Sequence, residues 1–289
     1  QLTELSQKMA EQDFEARYEG TSYREIDILG QNYNKMSQAL ELTISELKSA
    51  NLELQKDVER KTQVDEARRE FLNNVTHELK TPIALIQGYA EGLKDNVAED
   101  VESRDFYCDV IIDESAKMDN MVRKLLSLNA LEFGNDPVVF DRFDLTQLVR
   151  GVISGMKILI EEKQAEVSFP SEKAVYVWGD EFKIEEVVTN YLSNALNHLD
   201  GERKIEITIR QEEGNVRVSV FNTGTPIPDQ DLDHVFEKFF KVDKARTREY
   251  GGSGIGLSIV KAIMEGHNQN YGVANYDNGV AFWFTLEGK

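Results

Sequence analysis

The chain has 289 residues, 29% of them charged and 40% hydrophobic, which is enough for about two domains and too apolar for a disordered protein. A net charge of −19 speaks against nucleic-acid binding, which needs Lys and Arg clustered against phosphate. Cys108 is the single cysteine, so an internal disulfide is excluded and a reducing compartment fits best.

Residues 1–30 read as a broken helical segment: Leu2, Leu5 and Met9 stand at helical spacing, then a polar stretch with Gly20 interrupts them. The chain opens at Gln1 inside a helical pattern, which suggests a piece of a longer protein. No apolar run reaches the roughly 18 residues of a membrane helix. Any span would lie in the missing upstream part.

From Glu25 a long helix is expected. Ile26, Leu29, Tyr33, Met36, Leu40, Leu47 and Leu54 alternate three-four spacing, a heptad stripe that predicts a parallel coiled coil and a dimer. A helix packed on a domain of its own chain is the alternative, but no nearby apolar element would cover the stripe. The pattern continues through Phe71, Val75, Leu79 and Ile86 to about Val97, with a kink expected at Pro82. His77 lies roughly 200° around this helix from the apolar face and points to solvent, beside Glu78 and one turn from Thr81. An acidic loop from Asp95 to Asp105 leads into a second amphipathic helix carrying Tyr107, Val110, Ile111, Met118, Met121, Val122, Leu125 and Leu128. One helical hairpin cannot bury both stripes, so a dimeric four-helix bundle is predicted.

Gly134-Asn135-Asp136-Pro137 breaks the helical pattern and reads as a linker. Mixed α/β sequence follows. A helix is expected from Leu145 to about Lys163, short strands at 167–169 and 174–177, and a helix over 181–199. Ile205, Ile207 and Ile209 alternate with polar residues, and Val216, Val218 and Val220 complete a strand hairpin. A helix over 254–265, a strand at 271–273, a turn at Asp277-Asn278-Gly279 and a terminal strand over 280–286 close the chain. Together these predict a two-layer α/β sandwich.

Three groups of residues in this half suggest chemistry. Glu186, Asn190, Asn194 and Asn197 form one polar column on the 181–199 helix, and amide oxygens are hard ligands suited to Mg²⁺. Asn222-Thr223-Gly224-Thr225-Pro226-Ile227-Pro228 follows a strand. Gly251-Gly252-Ser253-Gly254-Ile255-Gly256-Leu257 opens a helix, where backbone N–H groups favour an anion. Neither a Gly-x-x-x-x-Gly-Lys loop nor a Rossmann arrangement is present. Between the two glycine motifs lie Phe236-Glu237-Lys238-Phe239-Phe240-Lys241 and a polar stretch with the character of a lid. His198, His234 and His267 do not group at transition-metal spacing.

These motifs, in this order, resemble the cytoplasmic part of bacterial sensor histidine kinases. His77-Glu78-Leu79-Lys80-Thr81-Pro82 looks like the family's phosphoacceptor box, Asn190 to Asn197 its N box, Asn222 to Pro228 its first glycine box, Phe236 to Phe240 its F box, and Gly251 to Leu257 its second glycine box. Residues 25–36 resemble the second helix of a HAMP module. The resemblance implies a multidomain chain: residues 1–50 a partial HAMP-like module, 51–132 a dimerisation and phosphotransfer hairpin within an all-α bundle, and 140–289 an ATP-binding α/β sandwich.

It further implies that His77 takes the γ-phosphoryl group of ATP, that Glu78 orients and deprotonates the imidazole, and that Thr81 positions a water for dephosphorylating the partner. Asn194 would hold Mg²⁺, and Asn190 and Asn197 would support the phosphates. His198, Asn222, Gly224, Pro226, Phe236, Lys241, Gly251, Gly252, Gly254, Gly256 and Leu257 would complete the nucleotide site. The implied partners are a second copy of the chain and the receiver domain of a response regulator, in the cytoplasmic portion of a cell-membrane sensor. The first glycine box departs from the family's Asp-x-Gly-x-Gly at Asn222 and Pro226, and Lys241 replaces a usual Arg. A signalling scaffold that binds nucleotide without transferring phosphate, or an ATPase of the same superfamily, are the competing readings.

Overall fold

The computed structural model describes residues 2–20, 24–98, 100–132, 137–171, 173–212, 214–242 and 254–288. It divides into two compact units, Gln1–Leu72 and Asn73–Lys289. Among the described residues no helix is long and apolar enough to cross a membrane.

The first unit contains α1 (Leu2–Ala10) and the start of α2 (Arg24–Lys94). Leu5, Tyr18 and Tyr33 form its core, with Leu2, Met9 and Ala16 packed against them. Gly30 allows this: a Cβ there would lie 2.0 Å from the Tyr18 ring. Asn34 then clamps the Tyr18 backbone, accepting from its N–H at 2.8 Å and donating to its carbonyl at 3.0 Å. The stripe by itself offers Tyr33 no apolar neighbour to cover it. The segment before α2 does cover Tyr33, while Leu29, Met36, Leu40, Leu47 and Leu54 stay exposed.

In the second unit the end of α2 and α3 (Val101–Glu132) form a helical hairpin. Pro82 is buried inside α2 and does not end it. The connecting loop is shorter than the acidic run predicts. Asp100 stops it by accepting the Ser103 N–H at 2.7 Å and so capping α3. The hairpin end is fastened by Tyr89, Phe106 and Tyr107, packed edge-on, with Tyr89 and Tyr107 centroids 4.9 Å apart.

The α/β part runs β1 (Asp141–Asp144), α4 (Leu145–Gly155), α5 (Lys157–Glu162), β2 (Glu166–Ser168), β3 (Tyr176–Gly179), α6 (Glu181–Asn197), β4 (Lys204–Glu212), β5 (Asn215–Thr223), a short 3-10 turn (Asp229–Asp231), α7 (Gly256–Gly266), β6 (Tyr271–Tyr276) and β7 (Gly279–Gly288). The sheet order is β1-β3-β7-β5-β4-β2, and β6 pairs with β7 beside β3. The expected hairpin is present, with Ile207 opposite Val220 and Ile209 opposite Val218. Helices α4, α6 and α7 pack together over one face. Ile184, Val188, Tyr191 and Leu192 of α6 and Ile207, Val218 and Phe284 of the sheet are all fully buried, with the Tyr191 and Phe284 rings in contact.

Two elements differ from expectation. Asp141–Asp144 is a strand, held by antiparallel pairing to β3 with Phe143 buried, before Asp144 caps α4 through the Thr146 and Gln147 N–H groups. The helix expected to run to Lys163 breaks at Met156, just after Gly155.

Candidate functional site

Helix α6 carries the polar column. Glu186, Asn190, Asn194 and Asn197 are all half-buried, but the column divides. Glu186 accepts the Ser127 hydroxyl of α3 at 3.4 Å. Asn190 donates to the Glu186 carbonyl at 2.9 Å, which turns its amide oxygen toward α7. The side-chain amides of Asn194 and Asn197 have no hydrogen-bond partner among the described residues. Half-buried amides without a protein partner are free to bind a ligand.

The start of α7 faces this column. A Cβ on Gly256 would stand 2.8 Å from the Asn190 amide oxygen, so glycine is what lets the two motifs touch. Leu257 follows, half-buried. Among the described residues no side chain caps α7, which leaves its first N–H groups available to an anion. Gly254 has φ +69°, and a Cβ there would be 2.8 Å from the Phe239 Cα. Phe239 itself has φ +62°, and its N–H donates to the Gly254 carbonyl at 2.9 Å. Two left-handed residues back to back thus join the phenylalanine segment to the glycine motif. Phe236 anchors that segment on the sheet, edge-on to Tyr271 at 4.8 Å and to Phe282 at 6.1 Å. Gly251 and Gly252 lie outside the described residues.

The other wall comes from the end of β5. Asn222 is 3% exposed, and its amide N–H donates to the carbonyls of His198 and Thr223. Its Oδ1 accepts no hydrogen bond among the described residues. Gly224 packs so tightly that a Cβ would be 2.5 Å from the His198 carbonyl. His198 therefore enters the site by its backbone at the end of α6, and its ring is exposed. Pro226 is exposed on the loop beyond. Asn275, which the sequence reading missed, fixes that loop by bonding both the N–H (3.0 Å) and the carbonyl (2.6 Å) of Ile227. Nothing in the spacing of Asn275 marks it out; only the pairing of β6 with β7 brings it there.

His77 is exposed on α2, and its imidazole has no hydrogen-bond partner among the described residues. Thr81 is exposed one turn away. Glu78 reaches the α/β domain: its Oε1 accepts from the Lys241 ammonium at 2.7 Å. Lys238 pairs with Glu132 at the end of α3 at 2.7 Å. Lys124 on α3 is half-buried, and desolvation pushes its ammonium down, while Glu186 partly restores it. These contacts, with α3 packed on α7, seat the phenylalanine segment beside the His77 helix. Sequence spacing cannot show them, because the partners lie 59 to 163 positions apart.

The two remaining histidines stand apart from the site. His267 is buried, accepts the Asp180 N–H at 3.0 Å and donates to the Ile263 carbonyl at 2.8 Å. Exposed His234 pairs with Glu237 at 2.8 Å, which holds its imidazole above the usual value.

Residues 67–134 match the family described as the His Kinase A (phospho-acceptor) domain, and residues 179–289 the Histidine kinase-, DNA gyrase B-, and HSP90-like ATPase. Sensor protein kinase WalK of Staphylococcus epidermidis is 30% identical over 233 residues, or 80% of this chain and 38% of that protein. WalK of Staphylococcus aureus is 30% identical over the same length, covering 56% of that protein. The chain therefore spans well under two thirds of these relatives. Among solved structures, histidine kinase ThkA in complex with response regulator protein TrrA is 28% identical with a TM-score of 0.62, over 76% of this chain and 61% of that one. Acinetobacter baumannii histidine kinase AdeS shares the fold, with a TM-score of 0.61 at 20% identity over 74% of this chain and 98% of that one.

Proposed function

The chain belongs to the bacterial two-component sensor histidine kinases, and from that premise we propose that it transfers the γ-phosphoryl group of ATP to His77 and then to an aspartate of a response regulator receiver domain. The observation that supports this reading is the 2.7 Å pair between Lys241 and Glu78, which brings the phenylalanine segment to the turn of α2 that carries His77. That ThkA has been crystallised with a response regulator makes a receiver domain the natural acceptor.

The residues present suit a nucleotide with Mg²⁺. Among the described residues the amides of Asn194 and Asn197 have no partner and the start of α7 has no side-chain cap, which favours phosphate, and Gly256 leaves room beside Asn190. In this reading Asn194 holds the metal, Asn190 and Asn197 support the phosphates, and Gly254, Gly256 and Leu257 shape the cradle, continued by Gly251 and Gly252. Asn222 accepts the adenine amino hydrogen, with Gly224, Pro226 and the His198 backbone forming that end. When bound, Mg²⁺ supplies neutralisation of phosphate charge. The chain's own contribution is position. His77 would present its unprotonated ring nitrogen to the phosphorus, Glu78 would take the proton from the other ring nitrogen, and Lys241 stands beside Glu78 as a positive charge.

We assign residues 1–50 to a partial HAMP-like module, 51–132 to the dimerising phosphotransfer hairpin and 140–289 to the ATP-binding domain, in the cytoplasmic portion of a membrane sensor acting as a homodimer. Thr81 is assigned to phosphatase action on the regulator. Incubation with γ-labelled ATP is expected to give acid-labile label on the wild type and none on His77→Ala. Label that persists in the variant refutes the role of His77. Thr81→Ala is expected to keep autophosphorylation within about threefold while slowing regulator dephosphorylation by about tenfold or more, within the usual reach of a positioned group. Equal loss of both activities contradicts that assignment.

A further inference from the structure

We infer that Asn275 is a positioning residue for nucleotide binding: it holds the loop from Asn222 to Ile227 in one form and so sets the affinity of the base end, leaving phosphoryl transfer unaffected. The inference rests on the proposed function and deepens it.

The sheet register puts two asparagines in one row. Asn222 on β5 is opposite Val280 on β7, and Val280 is opposite Asn275 on β6. Residues directly opposite in antiparallel strands point to the same face. Val280 alternates with Phe282 and Phe284, whose rings lie against Tyr191 of α6, so the row is on the helix-covered face. Asn275 is half-buried there and Val280 is buried. The loop leaves β5 after Asn222 and is bonded to β6 at Ile227, so it spans β7. Three contacts with the β6–β7 hairpin shape it. Gly279 comes so close that a Cβ would lie 2.1 Å from the Asn222 carbonyl oxygen. The Asn278 carbonyl accepts the Gly224 N–H at 3.1 Å. Asn275 accepts the Ile227 N–H at 3.0 Å through Oδ1 and donates to the Ile227 carbonyl at 2.6 Å through Nδ2.

The third contact is the one the loop cannot replace from its own backbone. Pro226 and Pro228 carry no N–H, so Ile227 supplies the only backbone donor of the three. The prolines stiffen the segment but do not place it; the paired bonds to Asn275 do. The loop is thereby ordered on folding, and the nucleotide does not have to order it on binding. Asn222 and Gly224 begin this loop, and in the proposed site they meet the base. The phosphorus that reacts is at the other end of the nucleotide. Loss of Asn275 therefore weakens ground-state and transition-state binding alike, which raises KM and leaves kcat.

The test compares autophosphorylation kinetics of the wild type with Asn275→Leu, which keeps the shape of the side chain and removes both bonds. KM for ATP is expected to rise about tenfold, the worth of two neutral hydrogen bonds, with kcat within about twofold. An unchanged KM, or a fall in kcat at constant KM, overturns the inference. Should the variant not fold, hydrogen exchange on the unmodified protein decides. Ile227 carries the only exchanging backbone amide between the two prolines, so its signal stands alone. By reciprocity, a loop whose opening weakens nucleotide tenfold must open about tenfold less often when AMPPNP and Mg²⁺ saturate the site. An Ile227 amide that exchanges as an open chain does, or that the analogue leaves unchanged, overturns the inference. If calorimetry shows that the wild type does not bind AMPPNP, the proposed function falls as well. A wild type that binds it beside an Asn275→Leu variant of unchanged KM sinks this inference alone.

Discussion

Asn222 is where a single residue most changes the reading. Sequence alone marks it as a departure, since an Asp usually stands there in the family it resembles. The structure supplies the reason. The carbonyls of His198 and Thr223 both accept from its Nδ2, and a carboxylate has no hydrogen to give them. Asn222→Asp is therefore expected to lower stability by about 2 kcal/mol in urea unfolding, because it leaves buried acceptors facing a buried charge. It should not tighten nucleotide binding. A variant as stable as the wild type that binds ATP more tightly would contradict this account. Of the candidate residues, the His77 box, the asparagine column and the glycine motifs are legible because each is a local pattern. Asn275, Glu132 and Ser127 are not, since their partners are fixed only by tertiary packing.

At the scale of elements, helices with long periodic faces and the β4–β5 hairpin are read from sequence almost to their ends. Strand β1 is not, because four residues with one buried side chain carry too little alternation to register. Its place depends on β3 and on the junction at the start of α6. There Asp180 caps α6 by accepting the Lys183 N–H at 3.2 Å and pairs with the Lys183 ammonium. Burial raises the Asp180 carboxyl, but hydrogen bonds from Val139 and Lys183 outweigh it and hold it below the ordinary value. His267 completes the junction. Burial lowers its imidazole, and the bond to Ile263 only partly offsets that. The unfolded chain therefore takes up this proton first as pH falls. The stability His267 contributes is full above about pH 6.5 and is lost as pH drops toward its lower folded value. His267→Gln should flatten the fall of the urea midpoint between about pH 7 and about pH 5. An unchanged slope would contradict the assignment.

At the scale of the whole molecule, the stripe on α2 has the plainest consequence. Leu47 and Leu54 are 64% and 65% exposed on the single chain, as a seam awaiting a partner would be. Leu47→Glu with Leu54→Glu is expected to convert the proposed dimer to monomer in sedimentation, since four buried leucines per dimer would contribute on the order of 6 kcal/mol. An unchanged dimer would place the interface elsewhere. The heptad pattern is visible in the sequence, but the cover over Tyr33 is not, because it comes from an irregular segment held by Asn34 and Asp27. The central claim is that this chain phosphorylates the imidazole at position 77. Its most direct test is peptide mapping under alkaline conditions after incubation with ATP and Mg²⁺. The account predicts one phosphoramidate, on the peptide containing His77. Phosphate on another residue, or none on a protein that binds the nucleotide, would contradict it.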